Sequence, residues 1–187
     1  AVVPSVTAQG KFYLSPNAGP SALAGAGCHK NYCNVAWQND NLHEAAGAYA
    51  NGAGHKNSFI LAPNYPAGKD ALTGYKRFFS GDLAGEIFTK LGQTDYAAEI
   101  AQIRASNADS VFFFLPGGMG ISFLKQYAAS GVDLPVVGPA FSFDQGILQA
   151  VGSAALGVVN TSQWNKDIDN PTNNAFVESF KAEYGRL

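Results

Sequence analysis

Residues 94–120 read TDYAAEIAQIRASNADSVFFFLPGGMG, and the order of patterns in this stretch, helix, buried strand, glycine-rich loop and the start of a second helix, decides the fold class. Thr94 stands where a helix cap is expected, Asp95 lies where the helix dipole favours negative charge, and Ala97, Ile100 and Ile103 recur on one face at helical spacing. Val111 to Leu115 follows as an apolar run without polar alternation, the pattern of a parallel strand covered on both faces. Pro116, Gly117, Gly118 and Gly120 come next, at the strand's C-terminal end. Open α/β sheets place their ligand crevices there, and a helix starting at that point offers unpaired backbone N–H groups. The loop is therefore a candidate ligand contact.

Strand and helix alternate on both sides of this unit. Short strands are expected at residues 11–15 and 34–37, a helix at about 39–53, a buried strand at 58–62 and a helix at 67–79 whose packing face is Leu72, Tyr75, Phe78 and Phe79. A strand at 85–90 precedes the opening unit, which is followed by a helix at about 121–129, a strand at 134–137, a helix from about Asp144 to Val151 and a strand at 157–161. A last helix at 171–183 carries Phe176, Val177 and Phe180 on one face, with Pro171 in its first turn, where proline is tolerated. Repeated β-α-β order predicts an α/β fold with a doubly wound parallel sheet. The chain begins on a strand with no parallel neighbour and finishes on a helix with no strand to follow it, so both ends are expected to be cuts in a longer protein.

A formal net charge of −2 over 187 residues gives no electrostatic basis for holding nucleic acid or anionic lipid, so neither is expected as a partner. No apolar run reaches the ~20 residues of a membrane span, and AVVPSVTAQG at the start has no signal-peptide pattern. Cys28 and Cys33 are separated by four residues in a glycine-flanked stretch. Two readings stay open: a short-loop disulfide, which implies an oxidising compartment, or two free thiols. His29 lies between them, but no second Cys or His pair stands at zinc-finger spacing, and no metal site is expected.

The loop Ser15–Gly19 (SPNAG) follows the first strand and has the composition of either a ligand loop or an ordinary turn. As a ligand loop it would use the Ser15 hydroxyl and the N–H groups of Asn17, Ala18 and Gly19 to receive a carboxylate. PNYPAG at 63–68 occupies the matching position after another strand and brings Tyr65 to a crevice or to the open surface. Trp37 is placed to stack on a flat ligand or to pack in the core. No nucleophile elbow, phosphate loop or His-Glu-x-x-His is present, and His29, His43 and His55 read as surface or helix-end histidines. The Gly-x-Gly pairs at 25–27 and 52–54 lack the third glycine of a dinucleotide fingerprint, so no cofactor is expected.

SPNAGP, APNYPAGKDA, the opening stretch, GVDLPVVGP and AALGVVNTSQWNKDIDNPTNNAFVESFKAEYG together resemble the periplasmic solute-binding proteins of branched-chain amino acid type ABC transporters, over nearly the whole chain. That resemblance implies two Rossmann-like lobes with the type I periplasmic-binding fold, joined by three hinge crossings. Residues 1–37 would end a first N-lobe segment, 38–161 would form the C-lobe, and 162–187 would begin the return. It implies no enzymatic activity, a periplasmic location, a small-molecule ligand and transporter permease subunits as partners.

By position, Asn17, Ala18 and Gly19 match the N-lobe loop that holds the ligand carboxylate, and Tyr65 matches a cleft aromatic. Pro116 and Gly117, with Gly118, match a further aromatic contact of the amino acid binders. Ala140 stands where those binders carry the acidic residue that pairs with the ligand ammonium. Without that carboxylate a buried ammonium has no partner. The resemblance is therefore closest to the aromatic-acid branch, with Phe141, Trp37 and Tyr65 lining a flat pocket. The alternatives are a branched-chain or other amino acid ligand, or an α/β enzyme whose catalytic residues lie elsewhere in the protein.

Overall fold

A computed structural model of the chain describes residues 2–142 and 145–186. A parallel five-stranded sheet dominates it, in the order β4 (Asp82–Thr89), β3 (Asn57–Pro63), β5 (Ser110–Phe113), β6 (Val136–Pro139), β7 (Val159–Thr161). The crossovers are α4 (Pro66–Phe78) between β3 and β4, α5 (Ala97–Ala105) between β4 and β5, α6 (Gly118–Ser130) between β5 and β6, and α7 (Gln145–Val151) between β6 and β7. The helix α3 (Asp40–Gly52) leads into the sheet. Ahead of it stands a smaller unit in which α1 (Val2–Thr7) and α2 (Ser21–Ala24) flank two short parallel strands, β1 (Tyr13–Ser15) and β2 (Tyr32–Asn34). The final helix is α8 (Pro171–Tyr184). The fold is thus α/β and doubly wound, with part of a second unit.

The apolar run at 111–115 is continuous because the sheet has a core on each face. Val111, Phe113 and Leu115 pack with Ile100, Ile103, Phe123 and Leu124 on one side. Phe112 and Phe114 pack with Ile60, Ala62, Leu72 and Tyr75 on the other. Successive strand side chains point to opposite faces, so a strand between two helix layers needs an apolar residue at every position. Polar Ser58 and Ser110 are tolerated in the buried first rows because their hydroxyls pair at 2.7 Å and Ser58 pairs again with Tyr75 at 2.7 Å.

Several local expectations are corrected. The strand expected at 34–37 lies at Tyr32–Asn34, which leaves Trp37 in the connection to α3. Thr94 does not cap α5: Asp95 Oδ1 accepts the Ala97 N–H at 3.0 Å, and the Thr94 carbonyl is taken by Gln126. The helix accordingly turns Tyr96, Ile100 and Ile103 inward and leaves Ala97 exposed. Phe78 is exposed and Phe79 takes its place in the core, since α4 ends at Phe78 and the chain bends away. On α8, Phe176 is exposed, because that helix packs against Trp164 rather than the sheet. The expected helix start at Asp144 lies outside the described residues. α1 and α2, of six and four residues, are too short for periodicity to announce them.

Candidate functional site

After β3 the chain crosses to β4 on one side, and after β4 it returns to β5 on the other side of β3. The sheet order therefore reverses between β3 and β5, and crevices in open α/β sheets form beyond the C-terminal ends at such a point. Tyr65 and Phe114 lie just past those two ends with rings stacked, 6.3 Å between centroids and 12° between planes. Phe114 meets Phe141 edge-on at 6.3 Å, and Phe141 meets Trp37 at 5.7 Å. Four rings thus form a row across the ends of β3, β5 and β6 and the entrance to α3. His43 of α3 lies against the row, 5.1 Å from Phe114 and 5.9 Å from Phe112, both edge-on.

Local sequence sets each ring. Pro66 starts α4, so Tyr65 is its extended N-cap, with φ −153°, and its N–H turns back to the Pro63 carbonyl at 2.8 Å. Tyr65 is half-buried, and that burial pushes its hydroxyl pKa up, keeping it a neutral hydrogen-bond donor at neutral pH. Gly117 takes φ +63° at the start of α6, a backbone that side chains disfavour. Its N–H reaches the Phe141 carbonyl at 3.4 Å, and Ser142 Oγ both donates to and accepts from the Leu115 backbone, at 3.2 and 3.3 Å. The loops after β5 and β6 are thereby held together, which brings Pro116, Gly117 and Gly118 beside Phe141. Ala140 precedes Phe141 and borders a cavity of about 1240 Å³, lined also by Asn160, Ser162, Trp164 and Phe176. That cavity opens beside the ring row rather than within it.

The Ser15–Gly19 loop is built differently from the expected anion cradle. Ser15 is buried and its single hydroxyl proton goes to the Ala18 carbonyl at 2.5 Å. The Gly19 N–H is taken by Asn39 Oδ1 at 3.1 Å. Asn17 and Ala18 are exposed, and their N–H groups carry the loop's remaining donor capacity. Of the two readings left open for Cys28 and Cys33, the structure has the free thiols, both exposed. The turn closed by the Tyr32 N–H on the His29 carbonyl separates the two, with Cys33 in β2 opposite Leu14 and Cys28 just before the turn.

His43, read as a surface or helix-end histidine, lies in the first turn of α3 but is 1% exposed, so it is not at the surface. Phe114 belongs to the row without having been singled out in the sequence, where its only signal is its place two residues beyond Phe112, on the same strand face. Among the described residues, the buried polar atoms without a hydrogen-bond partner include Trp37 Nε1 and His43 Nδ1, both against the row. No cluster of His, Cys, Asp or Glu suited to a metal ion occurs among the described residues. The arrangement offers flat apolar faces with a few polar atoms at their edges, which suits holding a planar group.

A family model described as "Periplasmic binding protein" matches residues 1–187. The chain belongs to the periplasmic binding protein family. This periplasmic binding protein is 30% identical over 139 residues to the Leu/Ile/Val-binding protein homolog 6 of Brucella melitensis, covering 71% of this chain and 36% of that protein. Its fold superposes with a TM-score of 0.88 on an ABC transporter solute-binding protein of R. palustris in complex with benzoate, at 30% identity, covering 99% of this chain and 52% of that one. A second solute-binding protein, from Rhodopseudomonas palustris BisB5 in complex with 3,4-dihydroxybenzoic acid, gives a TM-score of 0.82 at 28% identity, covering 98% of this chain and 52% of that one. The chain thus spans about half the length of these solved relatives and 36% of the Brucella protein. The matched proteins are binding proteins and not enzymes, and no described helix is long and apolar enough to cross a membrane.

Proposed function

We propose that the intact protein is the periplasmic solute-binding component of an ABC importer, and that it holds a small aromatic monocarboxylate of benzoate or cinnamate type between two lobes. On this reading residues 1–37 end the first N-lobe segment, 38–161 form the C-lobe and 162–187 begin the return, with transporter permease subunits as partners. The observation that carries the ligand class is the row Tyr65, Phe114, Phe141 and Trp37 at the strand-order reversal, with Ala140 next to Phe141 in the chain and bordering the adjoining cavity. A flat ring gains about 0.5–1.5 kcal/mol from each aromatic neighbour beyond simple burial. Ala140 leaves an ammonium without a charge partner where the amino acid binders of this family carry an acid, and a buried unpaired charge costs several kcal/mol. The ligand carboxylate is assigned to the N–H groups of Asn17 and Ala18 and the start of α6. The benzoate-bound relative at 30% identity agrees with this class.

The similarity to the Leu/Ile/Val-binding homolog favours a second reading, an aliphatic amino acid ligand. Calorimetry on the full-length protein separates the two. Benzoate derivatives are expected to bind more tightly than leucine or valine, and the reverse order overturns the proposal. Ala140→Asp is expected to weaken benzoate binding about a hundredfold, since it sets a desolvated carboxylate beside an acidic ligand. An unchanged benzoate Kd in that variant removes Ala140 from the site.

A further inference from the structure

Asn39 is the N-cap residue of α3, yet its side chain caps nothing in that helix. Asn170, the N-cap of α8, does what the residue type ordinarily does and accepts the Asn173 N–H at 2.8 Å. Asn39 instead reaches across to the Ser15–Gly19 loop. Its Oδ1 accepts the Gly19 N–H at 3.1 Å, its backbone N–H donates to the Gly19 carbonyl at 2.8 Å, and its Nδ2 donates to Asp70 Oδ2 at 3.1 Å. Asp70, in the second turn of α4, accepts the Ser21 N–H on the same oxygen at 3.2 Å. The Ser21 hydroxyl donates to Asp40, whose buried carboxylate is paired with Arg77 at 3.0 Å. Gly19 allows this close approach: a Cβ there would lie 2.0 Å from the Trp37 carbonyl oxygen and 2.4 Å from Asn34 Nδ2.

These ties have a common geometric effect. They reference the loop to the start of α3, next to Trp37, and to the start of α4, where Tyr65 is the cap residue. The SPNAG loop is thereby seated against the two helix starts that carry Trp37 and Tyr65, by side chains that bond to the loop, to Ser21 and to each other rather than to the rings.

We infer that Asn39 and Asp70 are positioning residues, which hold the Ser15–Gly19 loop so that its exposed N–H groups and the Tyr65–Trp37 row face one ligand. The role in binding rests on the reading of that loop under Proposed function, whereas the ties themselves stand on the geometry alone. The experiment reads the two separately, in the full-length protein. In Asn39→Ala and Asp70→Ala, hydrogen exchange at the Gly19 and Ser21 amides is expected to quicken at least tenfold while exchange in the cores of α3 and α4 stays unchanged. The Kd for benzoate is expected to rise about tenfold in each, the usual consequence of losing a hydrogen bond to a charged or fully committed partner. Asp70→Asn keeps an acceptor for the Ser21 N–H and is expected to fall between wild type and Asp70→Ala, at an unchanged melting temperature. Tyr65→Ala serves as the contrast, weakening benzoate without altering exchange at Gly19 and Ser21. Leucine is titrated in parallel, so that a wild-type protein preferring leucine sinks the aromatic-acid reading while the same tenfold loss still supports the loop's anchoring. Unchanged exchange at Gly19 and Ser21, or quickened exchange with undiminished affinity for both ligands, overturns the inference.

Discussion

Acidification from pH 7.5 to pH 4 is expected to cost the folded state about 3 kcal/mol through His43 alone. The ring is 1% exposed, Nδ1 has no hydrogen-bond partner, and Phe112 and Phe114 close on it edge-first. Burial pushes its pKa down from 6.5 to about 4, with Asp40 opposing more weakly. The unfolded chain binds a proton near pH 6.5 that the folded chain refuses until about pH 4. The folded pKa is therefore the depressed one, and the stability is fully present above pH 6.5 and lost as the pH falls through this window. Urea unfolding of wild type and His43→Gln across the range isolates the effect, because the titration of Asp and Glu is common to both. Wild type should lose about 3 kcal/mol more than the variant, and parallel curves would show that His43 is not buried as described. Since His43 supports Phe114, and Phe114 stacks on Tyr65, ligand affinity should decline in the same window.

Gly68→Ala is expected to destabilise the chain by about 3 kcal/mol, near the upper end for overpacking. A Cβ at this position in the first turn of α4 would stand 1.9 Å from the Pro63 carbonyl oxygen and 3.0 Å from its carbon. Both atoms are backbone at the end of β3, so no rotamer change relieves the clash, and α4 must lift off the strand and carry Tyr65 with it. For a domain of this size the loss corresponds to a melting temperature lower by roughly 10 °C in scanning calorimetry. Gly118→Ala is the matched control, with nothing within 4 Å of the added carbon and an ordinary helical backbone. It should melt within about 2 °C of wild type. Equal melting of the two variants would contradict the close seating of α4 on β3.

Much of the frame was legible in the residues. The run from Val111 to Leu115, the helical spacing around Leu72 and Tyr75, and the glycines after β5 are local patterns, and each element they predicted is present. The candidate site was legible by position only. Loops after parallel strands mark the ligand-facing edge of a sheet whatever their contacts, so Tyr65, Pro116 and Gly117 were candidates on that ground, whereas Phe141 was named from the family resemblance. Ser15 and Gly19 were assigned donor roles that the structure engages elsewhere, because nothing in SPNAG reveals that Ala18 and Asn39 compete for those protons. The cysteine pair stayed open for a like reason, since spacing bounds the chain between two thiols but does not fix the distance between their side chains.

The amino-acid sequence by itself determined the alternation of strand and helix, the parallel sheet and the edge at which a ligand is expected, because these follow from the periods of 2.0 and 3.6 residues and from where glycine and proline interrupt them. Only the tertiary structure decided that Phe114 completes a row with Tyr65, Phe141 and Trp37, that His43 is sealed beneath it, and that Asn39 and Asp70 tie the first loop to α3 and α4. Those contacts join residues tens of positions apart. Their partners are chosen by strand order and helix packing, which no local pattern encodes.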